Sequence, residues 1–239
     1  MLLIPFQSSS GRIVGGFVVP VEDVPFQVSL SWNGSDHFCG GSLLSKRWVM
    51  TAGHCAYPED TKLKVRVGSS QHASGGQLIN VNKIYRHPEY YAVKIDYDFA
   101  LLELAEEVQF SERCSPAELP SSNDRIEEGT CLQVSGWGST QNPAESSDVL
   151  RALYVPKISQ EECTRAYSEK NKVTDRMFCA GYLEGGKDNC HGDSGGPLVR
   201  GKTLVGLVSW GVGCAEAGHP GVYARVAAVR DWVKEISGL

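Results

Sequence analysis

Apolar and polar residues alternate along several short segments of the chain. Every second residue is apolar in residues 26–32, and the same period recurs in residues 63–67 and 204–210. This period predicts β-strands with one buried face. Residues 99–104 form a nearly continuous apolar run, which predicts a strand that is buried on both faces.

Helical periodicity is confined to the C-terminus. Val226, Val229, Val233 and Ile236 follow the three- and four-residue spacing of one amphipathic helix. The chain also contains 26 glycines and 11 prolines. Many short strands among many turn-forming residues predict an all-β sandwich or barrel that ends in a helix.

Two polar segments are predicted to be connectors. Residues 1–12 end in the flexible stretch Ser8-Ser9-Ser10-Gly11-Arg12, and residues 111–129 are polar with two prolines. The second connector divides the chain into halves of about 100 residues each, which is an ordinary domain size.

Charge and length exclude several classes of protein. The 239 residues include 28 acidic and 23 basic side chains, for a net charge of −5. The absence of a Lys/Arg run argues against a nucleic-acid or anionic-membrane surface, and no apolar stretch approaches the ~20 residues that span a bilayer. Residues 1–6 are shorter than the core of a secretion signal and lack a basic start, so a signal is either removed or not encoded in this sequence.

The cysteine count indicates disulfides. Eight cysteines are present and no two are spaced as C-x-x-C, which disfavours a zinc or iron–sulfur site. An even number favours disulfides formed in an oxidising compartment, but spacing alone leaves the connectivity open. The cysteines are Cys39, Cys55, Cys114, Cys131, Cys163, Cys179, Cys190 and Cys214.

Ser194 lies in the glycine-rich segment 188–197, DNCHGDSGGP. Glycines on both sides allow the backbone to expose the hydroxyl and to turn its N–H groups inward. An ordinary surface turn is the alternative. A serine hydroxyl becomes a strong nucleophile only beside a base, and His54 in the segment TAGHC is a candidate. A structural histidine is the alternative there.

Asp98 and Asp193 are carboxylates that need partners. Asp98 stands at the start of the apolar run 99–104, where an unpaired charge is costly and a histidine N–H is a suitable partner. The alternative is an exposed residue at a strand end. Cleavage after Arg12 would create an ammonium group on Ile13, and Asp193 could pair with it. The alternative is an uneventful start of the chain.

Seven motifs in this order resemble trypsin-like serine proteases of the chymotrypsin family. They are RIVGG at 12–16, TAGHC at 51–55, DFALLEL at 98–104, SGWG at 135–138, DNCHGDSGGP at 188–197, SWGVGC at 209–214 and PGVY at 220–223. The resemblance covers about 13–239. It implies two packed six-stranded antiparallel β-barrels with a C-terminal α-helix, divided into an activation propeptide (1–12), an N-terminal barrel (13–117) and a C-terminal barrel (118–239).

The resemblance also implies the catalytic roles. Ser194 is the expected nucleophile, His54 the base and acid, and Asp98 the carboxylate that orients His54. The N–H groups of Gly192 and Ser194 are expected to form the oxyanion hole. Since all three catalytic side chains are present, a catalytically silent homologue that acts as a binding module is the less favoured alternative.

The specificity pocket follows from the same resemblance. Asp188 matches the carboxylate at the base of trypsin pockets, and Gly211 and Gly221 match the walls that must lack side chains. We therefore expect cleavage after Arg or Lys. Asn189 departs from the small residue that is usual there, which leaves the balance between Arg and Lys open. Trp210 and Ile95 are expected to contact residues further upstream in the substrate.

Three disulfides are implied by the resemblance, Cys39–Cys55, Cys163–Cys179 and Cys190–Cys214. We expect Cys114 and Cys131, which match no shared pair, to bond to each other. Neither a cofactor nor a metal is expected. Calcium in particular is not expected, because the segment 69–78 that matches the calcium loop of vertebrate trypsins contains no acidic residue. The segment 139–150 contains no Lys or Arg and resembles insect digestive trypsins.

The remaining expectations concern biology. With Arg12-Ile13 intact the chain is a zymogen, activated by cleavage at this bond. We expect a secreted, extracellular and digestive monomer whose partners are protein and peptide substrates and protein protease inhibitors, with no nucleic-acid or membrane partner. A permanently locked zymogen and a regulatory protease acting on one protein are the alternatives.

Overall fold

The computed structural model describes residues 13–56 and 62–239. Arg12, the predicted activation residue, and the rest of the predicted propeptide lie outside the described residues. The strands are β1 (Phe17–Val18), β2 (Gln27–Ser31), β3 (His37–Leu43), β4 (Trp48–Thr51), β5 (Lys64–Val67), β6 (Gln77–Arg86), β7 (Ala100–Leu104), β8 (Cys131–Gly136), β9 (Arg151–Pro156), β10 (Met177–Ala180), β11 (Pro197–Arg200), β12 (Thr203–Trp210) and β13 (Gly221–Arg225).

Two sheets divide these strands. The first is a closed antiparallel barrel in the order β2-β3-β4-β7-β6-β5, and β2 closes it by pairing with β5 in the register Val28↔Val67. The second has the order β1-β9-β8-β11-β12-β13-β10. Residues 105–130 join the two sheets without a helix or strand, as the polar composition of 111–129 predicts.

The predicted all-β fold of two antiparallel barrels is confirmed, with one difference in the second sheet. That sheet has seven strands rather than six, because β1 adds to its edge through Phe17↔Ala152, and an isolated bridge between Lys157 and Ala180 is all that joins the end of β9 to β10 among the described residues. The N-terminal residues of the predicted 13–117 domain therefore pair with the second sheet.

The C-terminal helix is also confirmed. A 3-10 turn at Val226–Val229 leads into α2 (Arg230–Ser237), which ends at Gly238 in a left-handed conformation. The other helices are α1 (Gln160–Ala166) and 3-10 turns at Val21–Asp23 and Gly53–Ala56. No helix within 13–56 and 62–239 has the length and apolar character needed to cross a membrane.

Strand β2 is more deeply buried than its alternating pattern predicts. All five of its residues are buried, including the polar Gln27, Ser29 and Ser31. The hydroxyl of Ser135, on β8, donates to Oε1 of Gln27 at 2.6 Å. The second sheet thus contacts β2 through Gln27, and all three of these buried polar side chains are hydrogen-bonded.

Candidate active site

The three predicted catalytic side chains come from three different places in the two sheets. His54 lies in the 3-10 turn that follows β4, and Asp98 lies two residues before β7. Because β4 and β7 pair through Thr51↔Ala100, the ends of these two strands are adjacent. Ser194 lies in the turn before β11 of the second sheet.

Asp98 is buried and forms a hydrogen-bonded pair with the half-buried His54. Oδ2 of Asp98 lies 2.8 Å from Nδ1 of His54, and Oδ1 accepts from the backbone N–H of His54 at 2.9 Å. Ser209 donates its hydroxyl to the same Oδ2 at 2.6 Å. Asp98 is 1% exposed, so three donors balance the burial of its charge.

This pairing sets the protonation of His54. Because an ionised carboxylate only accepts, Nδ1 carries the proton and Nε2 is left as the basic nitrogen. Burial of the ring lowers its pKa, but the hydrogen bond and charge of Asp98 outweigh burial, so the pKa of His54 is raised above its ordinary value.

Covalent and hydrogen bonds bring Ser194 to the same place. The disulfide Cys39–Cys55 joins β3 to the turn that carries His54. The next residue of β3, Gly40, donates its N–H to the carbonyl of Ser194 at 2.7 Å. Among the described residues the Ser194 hydroxyl makes no hydrogen bond to His54, as is common before a substrate aligns the two groups.

The backbone around Ser194 presents two free donors. Gly192 has a φ of +98°, a conformation that favours glycine. In the part of the chain that the structure describes, neither the N–H of Gly192 nor that of Ser194 has a hydrogen-bond acceptor. Two unpaired N–H groups beside a hydroxyl can stabilise an oxyanion.

His37 is a residue of this site that sequence reasoning missed. Its Nε2 donates to the carbonyl of Gly192 at 2.9 Å, and its Nδ1 lies 2.8 Å from the hydroxyl of Ser29. Burial lowers the pKa of His37 to about 4, so the ring is neutral at pH 7. The ring thereby fixes the peptide between Gly192 and Asp193, and no local motif around position 37 marks this histidine.

A cavity of about 230 Å³ opens beside Ser194. Its lining includes the predicted residues Asp188, Asn189, Trp210, Gly211 and Gly221 together with Ser194. Ile95, in contrast, is not among the lining residues of this cavity. It is half-buried and has a φ of +49°.

Asp188 gives this cavity its charge. It is 6% exposed, and its Oδ2 accepts from the N–H of Ala215 at 3.2 Å. Burial raises the pKa of Asp188 to about 6. No cationic side chain among the described residues pairs with this carboxylate. A cationic side chain that enters the cavity can therefore pair with it.

The two predicted wall glycines, which both line the cavity, differ in the space around them. A Cβ on Gly221 would lie 2.6 Å from Nδ2 of Asn189, so the protein itself excludes a side chain there. A Cβ on Gly211 would meet only the hydroxyl of Tyr167, at 3.9 Å. The fold therefore leaves room for a side chain at Gly211.

Ile13 and Asp193 lie buried behind the cavity. Ile13 is 0% exposed, and the carbonyl of Val14 accepts from the N–H of Asp188 at 3.0 Å. The carboxylate of Asp193 is also 0% exposed and accepts from the N–H groups of Gly138 and Cys190, at 2.8 and 3.0 Å. No cation contacts it within the described residues, and burial raises the pKa of Asp193 to about 7.

Three disulfides form as predicted, but the fourth does not. The bonds Cys39–Cys55, Cys163–Cys179 and Cys190–Cys214 are present. The predicted Cys114–Cys131 bond is wrong, since both thiols are free. Cys114 is buried in the core of the first barrel, whereas Cys131 is the exposed first residue of β8 in the other sheet.

Candidate metal ligands cluster in two places in the described part of the chain. One cluster holds His54 with Cys39 and Cys55, and the other holds His191 with Cys190 and Cys214. In both clusters the two cysteines are bonded to each other, so neither offers a thiolate ligand.

Comparisons with known proteins agree with this geometry. The sequence model of the family described as Trypsin matches residues 13–233. The chain is 72% identical to Trypsin 5G1 of Aedes aegypti, over 97% of this chain and 87% of the relative. It is 46% identical to Trypsin of Simulium vittatum, over 92% and 90%.

A further relative is the vitellin-degrading protease of Bombyx mori, which is 44% identical over 94% of this chain and 85% of the relative. The family match extends from the buried Ile13 to α2, and so includes all the residues that line the cavity. The chain therefore belongs to the trypsin family and is a serine endopeptidase with trypsin-like specificity.

Proposed function

We propose that Ser194, His54 and Asp98 hydrolyse peptide bonds through an acyl-enzyme. Nε2 of His54 takes the hydroxyl proton as Oγ of Ser194 attacks the substrate carbonyl carbon, and then gives that proton to the nitrogen as the C–N bond breaks. Water attacks the resulting ester with the same base, which releases the acid and restores Ser194. Asp98 holds the tautomer and stabilises the imidazolium.

The N–H groups of Gly192 and Ser194 are proposed to bind the oxygen that becomes negative in each tetrahedral intermediate. Such donors act most strongly where they are already oriented before the charge develops. The hydrogen bond from His37 to the Gly192 carbonyl supports this role, because it holds the Gly192–Asp193 peptide, which lies between the two peptides that carry these N–H groups.

The substrate side chain is proposed to be Arg or Lys, bound by Asp188. The observation that carries this proposal is that Asp188 and Ser194 line one cavity. A buried carboxylate without a cationic partner favours a cation and penalises an apolar side chain that leaves the charge unpaired. Trp210 and Ile95 are proposed to contact the residues before this side chain.

Activation is proposed to occur by cleavage between Arg12 and Ile13, which makes residues 1–12 a propeptide. The new ammonium group of Ile13 would pair with Asp193, whose burial without a cation raises its pKa to about 7. Because Asp193 precedes Ser194 and holds the N–H groups of Gly138 and Cys190, this ion pair would stabilise the turn that forms the oxyanion hole.

We further propose a secreted, extracellular and digestive enzyme that acts as a monomer on protein substrates and is blocked by protein inhibitors. Three disulfides support an oxidising compartment. A protease dedicated to one protein is the second candidate, because the Bombyx mori relative is named for a single substrate. Cleavage of many unrelated denatured proteins by the activated enzyme would favour digestion.

One experiment tests the central proposal. Hydrolysis of matched acyl-Arg, acyl-Lys and acyl-Phe esters is measured before and after limited proteolysis, with N-terminal sequencing of the product. We expect Arg and Lys esterase activity to appear together with an Ile-Val-Gly-Gly terminus and to be absent from the Ser194→Ala variant. A preference for the Phe ester, or activity that survives in Ser194→Ala, would refute the proposal.

A further inference from the structure

Two non-glycine residues close to the active site have left-handed backbone conformations. Ile95 and Tyr97 each have a φ of +49°. This conformation is rare for a β-branched residue such as Ile95, and it persists only where surrounding contacts impose it. The residue between them is Asp96, whose side chain contacts another segment of the chain.

The carboxylate of Asp96 reaches across to the second half of the chain. Its Oδ2 accepts from Nη2 of Arg176 at 2.6 Å, and its Oδ1 lies 3.3 Å from Nε of the same guanidinium. Oδ1 also accepts from the hydroxyl of Thr174 at 3.0 Å and from the N–H of Tyr97 at 2.9 Å. A two-pronged Arg–carboxylate pair fixes orientation as well as distance.

Two further contacts attach the same segment. Nδ2 of Asn171 donates to the carbonyl of Lys94 at 2.8 Å. The guanidinium of Arg176 lies 4.9 Å from the ring centre of Tyr97, and that ring stacks on His87 at 4.6 Å. Residues 94–97 are therefore attached to residues 171–176 by several independent contacts.

Both attached segments adjoin the catalytic groups. Ile95 precedes Asp98 by three residues, a span of at most about 11 Å. On the other side, Val173 belongs to the buried cluster against which Trp210 packs, and Trp210 lines the cavity beside Ser194. The Asp96 contacts thus join two segments that flank the same cleft.

We propose that Asp96 is a positioning residue for substrate selection, which holds Ile95 in place to contact the residue before the cleaved Arg or Lys. This inference rests on the proposed function, since it assumes that Ile95 contacts the substrate. Asp96 itself touches neither the substrate nor the reacting atoms.

The test compares two Arg substrates of the activated enzyme. One is an N-benzoyl arginine ester, which has no upstream amino acid, and the other is a peptide anilide with Phe and then Arg before the cleaved bond. In Asp96→Asn we expect the peptide-to-ester ratio of kcat/KM to fall about fivefold, which is the size of effect expected from losing one positioning hydrogen bond. The fall should come mainly from a higher KM for the peptide.

Asp124→Asn is the matched control. Asp124 forms a comparably half-buried pair with Arg200, at 2.8 Å, that lies away from the cleft residues. Its loss should lower stability without changing the ratio. A ratio unchanged in Asp96→Asn would overturn the inference, whatever happens to the melting temperature.

Two milder variants keep the test decisive if Asp96→Asn does not fold. Thr174→Val removes one donor to Asp96, and Arg176→Lys keeps the charge but removes the two-pronged geometry. Each should lower the same ratio by about twofold, the share expected of one partner, and an unchanged ratio in both would refute the inference. If the parent enzyme hydrolyses neither substrate, the proposed function itself fails, and the inference fails with it.

Discussion

The side-chain amide of Asn189 donates to Oδ1 of Asp188 at 3.1 Å, at the base of the cavity beside Ser194. The same Nδ2 lies 2.8 Å from the hydroxyl of Tyr223, so both amide hydrogens are used. The other oxygen of Asp188 accepts from the N–H of Ala215. Each carboxylate oxygen thus has one donor already and keeps a lone pair for a substrate.

This arrangement predicts a preference for Arg over Lys. Two remaining lone pairs side by side match the parallel N–H groups of a guanidinium, whereas an ammonium is a point charge. Asn189→Ser supplies a hydroxyl that can accept from an ammonium, so the Arg-to-Lys ratio of kcat/KM should fall about fivefold, the effect of about 1 kcal/mol. Matched Arg and Lys anilides measure it, and a ratio that rises would contradict this account.

Asp193 predicts a pH-dependent stability of the uncleaved chain. Its pKa is raised from 3.8 to about 7, so folding favours the protonated form. Protonation of Asp193 therefore adds about 4 kcal/mol to the free energy of unfolding. This stabilisation is complete below about pH 4 and is lost as the pH rises through 7. Urea unfolding of Ser194→Ala, with and without Asp193→Asn, should show the pH dependence shrinking in the double variant. If the free energy of unfolding changed equally between about pH 4 and 8 in the single and the double variant, the prediction would be contradicted.

His37→Gln should weaken catalysis without weakening binding. The substitution removes the ring that donates to the Gly192 carbonyl, so the peptide between the two oxyanion donors is held less firmly. One lost hydrogen bond of this kind should lower kcat about threefold to tenfold and leave KM nearly unchanged. Steady-state kinetics on an Arg anilide provide the measurement. A change confined to KM would instead indicate that His37 acts on substrate binding.

The two free thiols should differ in reactivity. Burial raises the pKa of Cys114 to about 11, whereas Cys131 is exposed. Native protein treated with iodoacetamide at pH 8 should therefore gain one adduct, on Cys131, and a second only after unfolding. Mass spectrometry of tryptic peptides locates both. Recovery of a Cys114–Cys131 cross-linked peptide would show that the two cysteines are bonded, contrary to the structure.

The contacts of Arg66 predict that the stability of the protein does not depend on calcium. Its guanidinium donates to the backbone carbonyls of His72, Gly75 and Gly34, at 2.9, 2.5 and 2.8 Å, and so places a cation within the loop that follows β5. We expect EDTA to leave the melting temperature unchanged and Arg66→Met to cost about 2 kcal/mol. Calorimetry of Ser194→Ala tests both, and a drop in the melting temperature on adding EDTA would contradict the prediction by revealing a bound metal.

Local sequence determined much of this protein. Alternation in residues 26–32, 63–67 and 204–210 and the apolar run 99–104 predicted strands that the structure contains, because side-chain direction along a strand depends only on local geometry. The resemblance of seven motifs identified residues that lie around Ser194, although it contains no information on the distances between them.

Only the tertiary structure decided the contacts between residues far apart in the chain. Three hydrogen bonds join segments separated by 80 or more residues. They link β8 to β2, His37 to Gly192, and Arg176 to Asp96. The same holds for Cys114 and Cys131, which are 17 positions apart, although one is buried in the core of the first barrel and the other begins β8 of the second sheet. Spacing along a chain does not report distance in space, since that depends on which surfaces the whole molecule buries together.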